Sequence, residues 1–235
     1  MKGFDLTAIL LNAEYRDLLL HGLRITFVVF FASWLLGMTV GVLLLVVRFI
    51  PSRIAEGLVS IFISYHRNVP TLVQLMLWYF GIASLLPDGM QEWISDHNGE
   101  AIFGVIGLGL CQSAFFSEDL RSGFRAIGSG QTEAARALGH SYVTMMRYVL
   151  VPQAVRNSLP ALVNHTVSLF KNSSLAMAIG VEELTHAVKE VESASFRTFE
   201  VFAIGTVLYL VCSLAMMGAG AALDRRMAMA GVGHR

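Results

Sequence analysis

Charged residues are scarce in this sequence of 235 residues, of which 14% are charged and 55% are hydrophobic. The mean hydropathy is +0.61. A soluble domain rarely carries so little charge, so the composition indicates a protein that resides in a membrane. The formal net charge is zero, which excludes nucleic acid as an obvious partner because phosphate backbones are bound by basic surfaces.

The sequence also lacks the motifs of nucleotide hydrolysis and of metal or nucleophilic catalysis. None of the lysines, Lys2, Lys171 and Lys189, belongs to the glycine-rich pattern of a phosphate-binding loop. No H-E-x-x-H, C-x-x-C or nucleophile-elbow pattern occurs, and Cys111 and Cys212 both fall in apolar runs, where cysteine is typically buried. We therefore expect no catalytic residue, metal or cofactor in this chain, and a membrane enzyme is disfavoured. Any ATP that drives it would be hydrolysed by a different polypeptide.

Long uncharged runs dominate what is present. The run between Arg24 and Arg48 is long enough, at about 1.5 Å per helical residue, to cross about 30 Å of hydrocarbon. Such runs predict an all-α membrane protein with about five transmembrane helices, at about residues 25–47, 68–87, 101–119, 157–181 and 201–223. The shorter apolar stretch Ser52–His66 is predicted to be an interfacial helix or the lower part of the second span.

These spans predict one transmembrane domain, which we place at residues 24–226. Residues 1–23 carry acids among apolar side chains and lack an uninterrupted signal-peptide core, so we expect an amphipathic lead-in on the membrane surface. A polar loop at residues 120–156 joins the third and fourth spans, and residues 227–235 form a tail.

The basic residues fall mainly on one side of these predicted spans. That side holds Arg48, Arg53, Arg67, Arg121, Arg125, Arg136, Arg147, Arg156, Arg225, Arg226 and Arg235. The other side holds Lys2, Arg16, Arg24, Lys189 and Arg197, together with most of the acids. The positive-inside rule then places the C-terminus and the 120–156 loop in the cytoplasm and the N-terminus outside. We expect a multi-pass protein of the bacterial inner membrane.

Glycines cluster inside the predicted spans, and Gly37-x-x-x-Gly41 in the first span permits close approach of two helix backbones. Packing within the chain and contact with a second subunit both explain this spacing. We favour packing within the chain.

The longest polar stretch, Gln131–Pro152, is predicted to form two short helices hinged at Gly139. Thr132 suits the N-cap of the first helix, and Gly139 suits a left-handed stop. Ser141 suits the N-cap of the second helix, and Pro152 should end it. From the residues alone, a solvated helical hairpin is the simplest interpretation.

The same stretch resembles the cytoplasmic EAA loop of permease subunits from binding-protein-dependent ABC importers. Glu133-Ala134-Ala135, Gly139 and Val151-Pro152 stand at the spacing of that family, with valine where leucine is usual. The resemblance implies that Glu133, Ala134, Ala135, Gly139 and Pro152 couple this chain to a separate ATP-binding subunit, which binds ATP and magnesium. It further implies a second permease chain, identical or homologous, and an extracytoplasmic binding protein.

Three segments resemble the polar amino acid subgroup of these permeases more closely. They are Gly130–Ala135, Arg67–Gln74 and Phe170–Ser174. Together with the spans, the resemblance covers nearly the whole chain and implies import of a polar amino acid.

Lys171 interrupts the fourth predicted span, which contains no acid to neutralise it. A cation at bilayer depth costs about 2.5–3.5 kcal/mol, so Lys171 should face protein or water. It either packs against helix-end carbonyls or an acid of another span, such as Glu118 or Asp119, or it faces the pathway and attracts a substrate carboxylate.

The predicted substrate pathway follows from the second alternative and from the subgroup resemblance. Its residues are Lys171, Asn172, Ser168, His165, Ser173 and Gln74. A cation and a histidine without a carboxylate favour glutamate or aspartate as substrate, with glutamine or asparagine as the alternative.

Arg67, Asn68 and Pro70 are predicted to form a cytoplasmic gate or anchor where the second span begins. A basic residue at the cytoplasmic end and a proline in the first helical turn also explain this segment without any further role.

A stand-alone ion-coupled transporter or channel is the rival from another class. The absence of an evident internal repeat and the scarcity of acids within the spans disfavour it.

Overall fold

The structure is a computed structural model that describes residues 5–232, with side chains through residue 227. Within this part of the chain the fold is all-helical, with no β-strand. The α-helices, in chain order, are α1 Thr7–Leu10, α2 Ala13–Arg48, α3 Arg53–Asn68, α4 Thr71–Met76, α5 Asp88–Asp96, α6 Gly99–Arg125, α7 Ser129–Ala137, α8 Tyr142–Met145, α9 Val151–Asn172, α10 Leu184–Ser195 and α11 Thr198–Val232. The described residues also form four tighter or wider helical segments: π-helical Leu77–Ile82 and Met146–Leu150, and 3₁₀ Ala83–Leu85 and Ser173–Ile179.

Helix α6 forms the centre of the domain. In the most apolar stretch of 18 residues in each helix, 61% of the residues are buried in α6, against 33% in α2 and 11% in α11. Helices α2 and α9 pack against α6, and α11 packs against α9 on the outside of the domain, where most of its surface is exposed.

Gly37 and Gly41 let α2 approach α6 closely. A Cβ atom at Gly37 would lie 3.0 Å from the carbonyl oxygen of Gly109, and one at Gly41 would lie 3.0 Å from that of Ser113. These distances are tighter than most real Cβ contacts, and the atoms met are backbone carbonyl oxygens, so a side chain at either position would push α2 and α6 apart by a few tenths of an ångström. The expectation that this pair packs within the chain is confirmed.

The main hydrophobic core lies where α2, α4, α6 and α9 cross. Phe30, Leu75, Leu108 and Phe170 are each at most 2% exposed. The rings of Phe30 and Phe170 meet edge to face, with centroids 5.6 Å apart. This core fixes the position of α9, which carries His165, Ser168, Lys171 and Asn172 of the predicted substrate pathway.

Among the residues that the structure describes, three helices are long and apolar enough to cross a membrane: α2, α6 and residues Thr198–Met227 of α11. Helices α3 and α4 qualify together as a further, bent pair, with 109° between Arg53–Asn68 and Thr71–Leu85. The stretch predicted at residues 52–66 thus becomes α3, set at a sharp angle to the helix that follows. The count of five spans and the orientation stay predictions.

The first predicted span lies within a longer helix. Asn12 caps α2, because its side chain accepts hydrogen bonds from the backbone N–H groups of Glu14 and Tyr15. From Ala13 the helix runs unbroken to Arg48, so the predicted boundary at residue 23 has no counterpart in the helix. Of the predicted tail at 227–235, residues up to Val232 continue α11, and residues 233–235 lie outside the described part, as do residues 1–4 of the lead-in.

Candidate functional site

The polar loop between α6 and α9 folds into a helical hairpin, as predicted. Helix α7 ends just before Gly139, whose φ of +77° is the left-handed conformation that favours glycine. The backbone N–H of His140 then donates to the carbonyl of Ala135, closing the end of α7. We call residues 129–150 the coupling hairpin.

The caps of the hairpin follow the sequence in part. Ser141 caps α8 as predicted, with its Oγ accepting a hydrogen bond from the backbone N–H of Thr144 at 3.3 Å. The prediction for Thr132 is wrong, because α7 begins at Ser129 after Gly128 and Thr132 lies inside the helix. No side chain makes a capping hydrogen bond at this end of α7, so Thr132 has no capping role there.

Pro152 does not end the second helix, which corrects the sequence-based prediction. The π-helical segment Met146–Leu150 follows α8, and α9 begins at Val151 with Pro152 in its first turn. Proline has no backbone N–H to donate within a helix. It is tolerated at this position because the preceding π turn is wider and shifts the hydrogen-bond pattern, so the missing N–H interrupts no bond. As a result, helical backbone continues from Tyr142 to Asn172, with Pro160 inside α9, and joins the coupling hairpin to α9 without an intervening loop.

The coupling hairpin presents large apolar side chains to the surroundings. Leu138, Val143 and Tyr148 are 78%, 71% and 68% exposed, respectively. Glu133 and Ala134 are exposed beside them, whereas Ala135 is buried inside the hairpin. An exposed apolar patch of this kind on a polar loop is typical of a surface that another protein covers.

One face of α9 carries polar side chains at helical spacing. Asn157, Asn164, Ser168 and Lys171 recur every three, four or seven residues, and we call them the polar stripe. Asn157, Asn164 and Lys171 are exposed, and Ser168 is half-buried. The sequence predictions included Ser168 and Lys171 but missed Asn157 and Asn164, although their spacing from Lys171 was visible in the sequence.

Lys171 makes no ion pair with any residue that the structure describes. The two acids considered as its partners are engaged elsewhere. Glu118 binds Arg48 and Arg121, and Asp119 binds His165. The alternative in which Glu118 or Asp119 neutralises Lys171 therefore does not match the structure.

His165 and Arg67 both contact the Phe115 ring beside the polar stripe. The Nδ1 of His165 lies 2.6 Å from the Oδ2 of Asp119, and its ring lies 4.9 Å from that of Phe115. The guanidinium of Arg67 stands 5.4 Å from the centre of the same Phe115 ring, a cation–π contact. The structure thus brings a predicted gate residue and a predicted pathway residue together through Phe115.

Gln74 and Ser173 lie inside the protein, away from the polar stripe. Gln74 is 0% exposed and donates from Nε2 to the carbonyls of His66 and Val69, at 3.1 and 2.8 Å. It therefore ties the elbow between α3 and α4 and faces no open pathway in the chain. The buried Ser173 hydroxyl donates to the carbonyl of Phe170, and Asn172 is half-buried at the end of α9.

Asn68 and Pro70 shape the same elbow. The Asn68 side chain donates to the carbonyl of Ser64 at 2.7 Å, and Pro70 stands at the N-cap position of α4. Among the residues that the structure describes, no group of three His, Cys, Asp or Glu side chains is placed to hold a metal ion.

Comparisons with known proteins place this arrangement among transport proteins. Residues 22–229 match the family described as "Binding-protein-dependent transport system inner membrane component". The chain is 31% identical over 209 residues to the arginine transport system permease protein ArtQ of Bacillus subtilis, covering 89% of this chain and 92% of ArtQ. It is 28% identical over 224 residues to the glutamate/aspartate import permease protein GltJ of Escherichia coli K12, covering 94% and 91%. The crystal structure of an amino acid ABC transporter with histidines matches with a TM-score of 0.81 and 30% identity, covering 93% of this chain and 98% of that chain.

Proposed function

We propose, on the premise that this chain belongs to the family of binding-protein-dependent transport system inner membrane components, that it is the permease subunit of an ATP-driven importer of a polar amino acid. Glutamate and aspartate are the proposed substrates. The chain holds the translocation pathway, and a separate subunit hydrolyses ATP.

The continuous helix from Tyr142 to Asn172 carries this proposal. It connects the exposed apolar surface of the coupling hairpin at one end with Lys171 at the other. An ATP-binding subunit that moved the coupling hairpin would move the polar stripe with it. Glu133, Ala134, Ala135, Gly139 and Pro152 are the proposed coupling residues.

A second permease chain is proposed to face the polar stripe. Polar side chains on a helix at membrane depth are costly in contact with lipid, and Lys171 alone would cost about 2.5–3.5 kcal/mol. A pathway between two permease chains, identical or homologous, would place these side chains against water and substrate. The half-buried Asn172 and His165 flank the stripe and belong to the same proposed pathway, with Arg67 at its cytoplasmic end.

The proposed docking surface for the binding protein lies at the opposite end from the coupling hairpin. Helix α5 exposes Asp88, Glu92 and Asp96 there, and Glu182 and Glu190 are exposed before and within α10. An extracytoplasmic binding protein with a complementary basic surface would be attracted to this face.

The proposal of an acidic substrate rests on charge. Relatives at similar identity are named for arginine and for glutamate/aspartate, so overall similarity does not choose between these substrates. Lys171 has no ion pair among the described residues, and an unpaired ammonium favours a carboxylate-bearing ligand. Asp119, the nearby acid, is bound to His165.

Uptake in liposomes tests the proposal. The chain would be reconstituted with the ATP-binding subunit and binding protein of its own importer, and labelled glutamate, glutamine and arginine would be compared. We expect ATP-dependent uptake, with glutamate preferred. Preference for glutamine would support the same importer with the alternative substrate, preference for arginine would contradict the charge argument, and full uptake by this chain alone would indicate an ion-coupled transporter instead.

A further inference from the structure

A small cavity lies where α2 ends, α3 begins and α6 ends. Its volume is about 260 Å³, and it is separate from both the coupling hairpin and the polar stripe. Arg48, Arg121 and Arg125 line it, together with Glu56 and the apolar side chains of Leu45, Phe49 and Phe124. Three guanidinium groups around one small cavity are unusual in a chain with so few charges.

Glu118 fixes two of these guanidinium groups in place. Its Oε1 lies 2.5 Å from Nη1 of Arg48, and its Oε2 accepts from Nε and Nη2 of Arg121, at 3.2 and 2.7 Å. Nη2 of Arg48 also donates to the hydroxyl of Ser60 at 3.4 Å. The two arginines are therefore held in position before any ligand binds.

The arginines around this cavity are not fully paired within the described part of the chain. Nε of Arg48 is buried without a partner among the described residues. Arg125 is exposed and makes no ion pair within the described part of the chain. Three positively charged guanidinium groups surround the cavity, and two carboxylates, those of Glu118 and Glu56, lie near them. The cavity therefore keeps a positive charge and attracts an anion.

The surroundings of the cavity are apolar. Phe49 and Phe124 form one wall, with their rings edge to face and 5.2 Å apart. Beside it, Ile50, Ile54 and Leu58 are 53%, 77% and 64% exposed. The cavity therefore lies at the ends of two membrane-spanning helices, next to a surface that suits lipid tails.

We propose that this cavity binds the phosphate of an anionic phospholipid headgroup, with the acyl chains lying along the apolar surface of α3. Guanidinium groups bind phosphate through paired hydrogen bonds, and basic pockets between helices at the membrane surface bind anionic headgroups. A bound lipid would join the ends of α2, α3 and α6 at the point where the chain turns towards the coupling hairpin.

Native mass spectrometry of the assembled transporter tests this inference. The complex would be titrated with phosphatidylglycerol or with phosphatidylcholine, and bound lipid would be counted. We expect phosphatidylglycerol to be retained in preference to phosphatidylcholine. Arg125→Gln should weaken phosphatidylglycerol binding about fivefold, the effect of one cationic side chain at a membrane surface.

Arg125 suits this test because its side chain makes no ion pair with any residue that the structure describes, so its loss should not disturb folding. Arg225→Gln, which removes an exposed arginine of α11 outside the cavity, is the matched control and should leave binding unchanged. Equal retention of the two lipids, or unchanged binding in Arg125→Gln, would overturn the inference. Displacement of the lipid by millimolar inorganic phosphate would identify a soluble-anion site and would also overturn it.

Discussion

At the scale of single residues, the two basic side chains of the α9 pathway region have different environments. His165 is bound to Asp119, whereas Lys171 reaches the surface of the helix without an ion pair among the described residues. Because an unpaired ammonium is costly at membrane depth, its retention is explained if it meets a substrate carboxylate.

Lys171→Gln tests this role. The variant should raise the KM for glutamate uptake by about tenfold to a hundredfold, because a hydrogen bond to a charged group contributes roughly 1.5–3 kcal/mol. The preference for glutamate over glutamine should fall as well. Lys189→Gln is the control, since Lys189 is paired with Glu192 on α10 and should leave the KM unchanged. A normally assembled Lys171→Gln transporter with an unchanged KM would remove Lys171 from the pathway.

Gln74→Leu tests the structural role that the elbow gives to Gln74. The leucine has a similar volume but cannot donate, so the carbonyls of His66 and Val69 would lose their side-chain donor. We expect the free energy of unfolding in detergent to fall by about 1–3 kcal/mol. Gln91→Leu removes an exposed amide that donates to the carbonyl of Leu86 and should cost much less. Equal stability of the two variants would contradict the role of Gln74 in the elbow.

At the scale of helices, the junction at Pro152 determines how the coupling hairpin is connected to α9. A proline after a polar loop is a strong local signal for a helix end, and the structure instead continues the helix through a π segment. Under the proposed function, a mobile loop would absorb a push from the ATP-binding subunit, whereas the helical connection to α9 would carry it towards the polar stripe.

Glu133→Lys tests the coupling hairpin at its exposed side. Reversing this charge should disturb docking of the ATP-binding subunit, so substrate-dependent ATPase stimulation should be lost while ATP binding is retained. Asp17→Lys reverses an exposed charge near the start of α2, outside both the coupling hairpin and the acidic surface proposed for the binding protein, and is the control for ATPase docking. If Glu133→Lys stimulates the ATPase as the unmodified chain does, the coupling role of the hairpin is wrong.

The helices also show which features the sequence could predict. Gly139 and Ser141 were predictable because a left-handed stop and a hydroxyl cap are decided by a few adjacent residues. Pro152 was not, because the neighbouring π segment depends on how α9 packs in the domain. The contacts of Gln74 with the elbow were not predictable either, since the sharp bend that places its amide under two backbone carbonyls is set by tertiary contacts.

At the scale of the whole molecule, the chain leaves unpartnered surfaces at both ends and along its side. The coupling hairpin exposes apolar side chains, α9 exposes the polar stripe, and α11 is mostly bare. Composition alone predicted that the protein resides in a membrane. Helix α6 carries many glycines and polar residues, and its central position explains how it can still be a membrane-spanning helix, because its neighbours shield it from lipid. A chain with this distribution of surfaces is understood as one subunit of a larger transporter.

Site-specific photo-crosslinking from Val143 tests the central claim most directly. A crosslinking amino acid at Val143, which is 71% exposed on the coupling hairpin, would be compared with one at Leu85, which is 79% exposed beyond the other end of the spanning helices. The account predicts that Val143 captures the ATP-binding subunit in intact membranes and that Leu85 does not. Capture of that subunit from Leu85 alone, or labelling of Val143 from outside the cell, would contradict it.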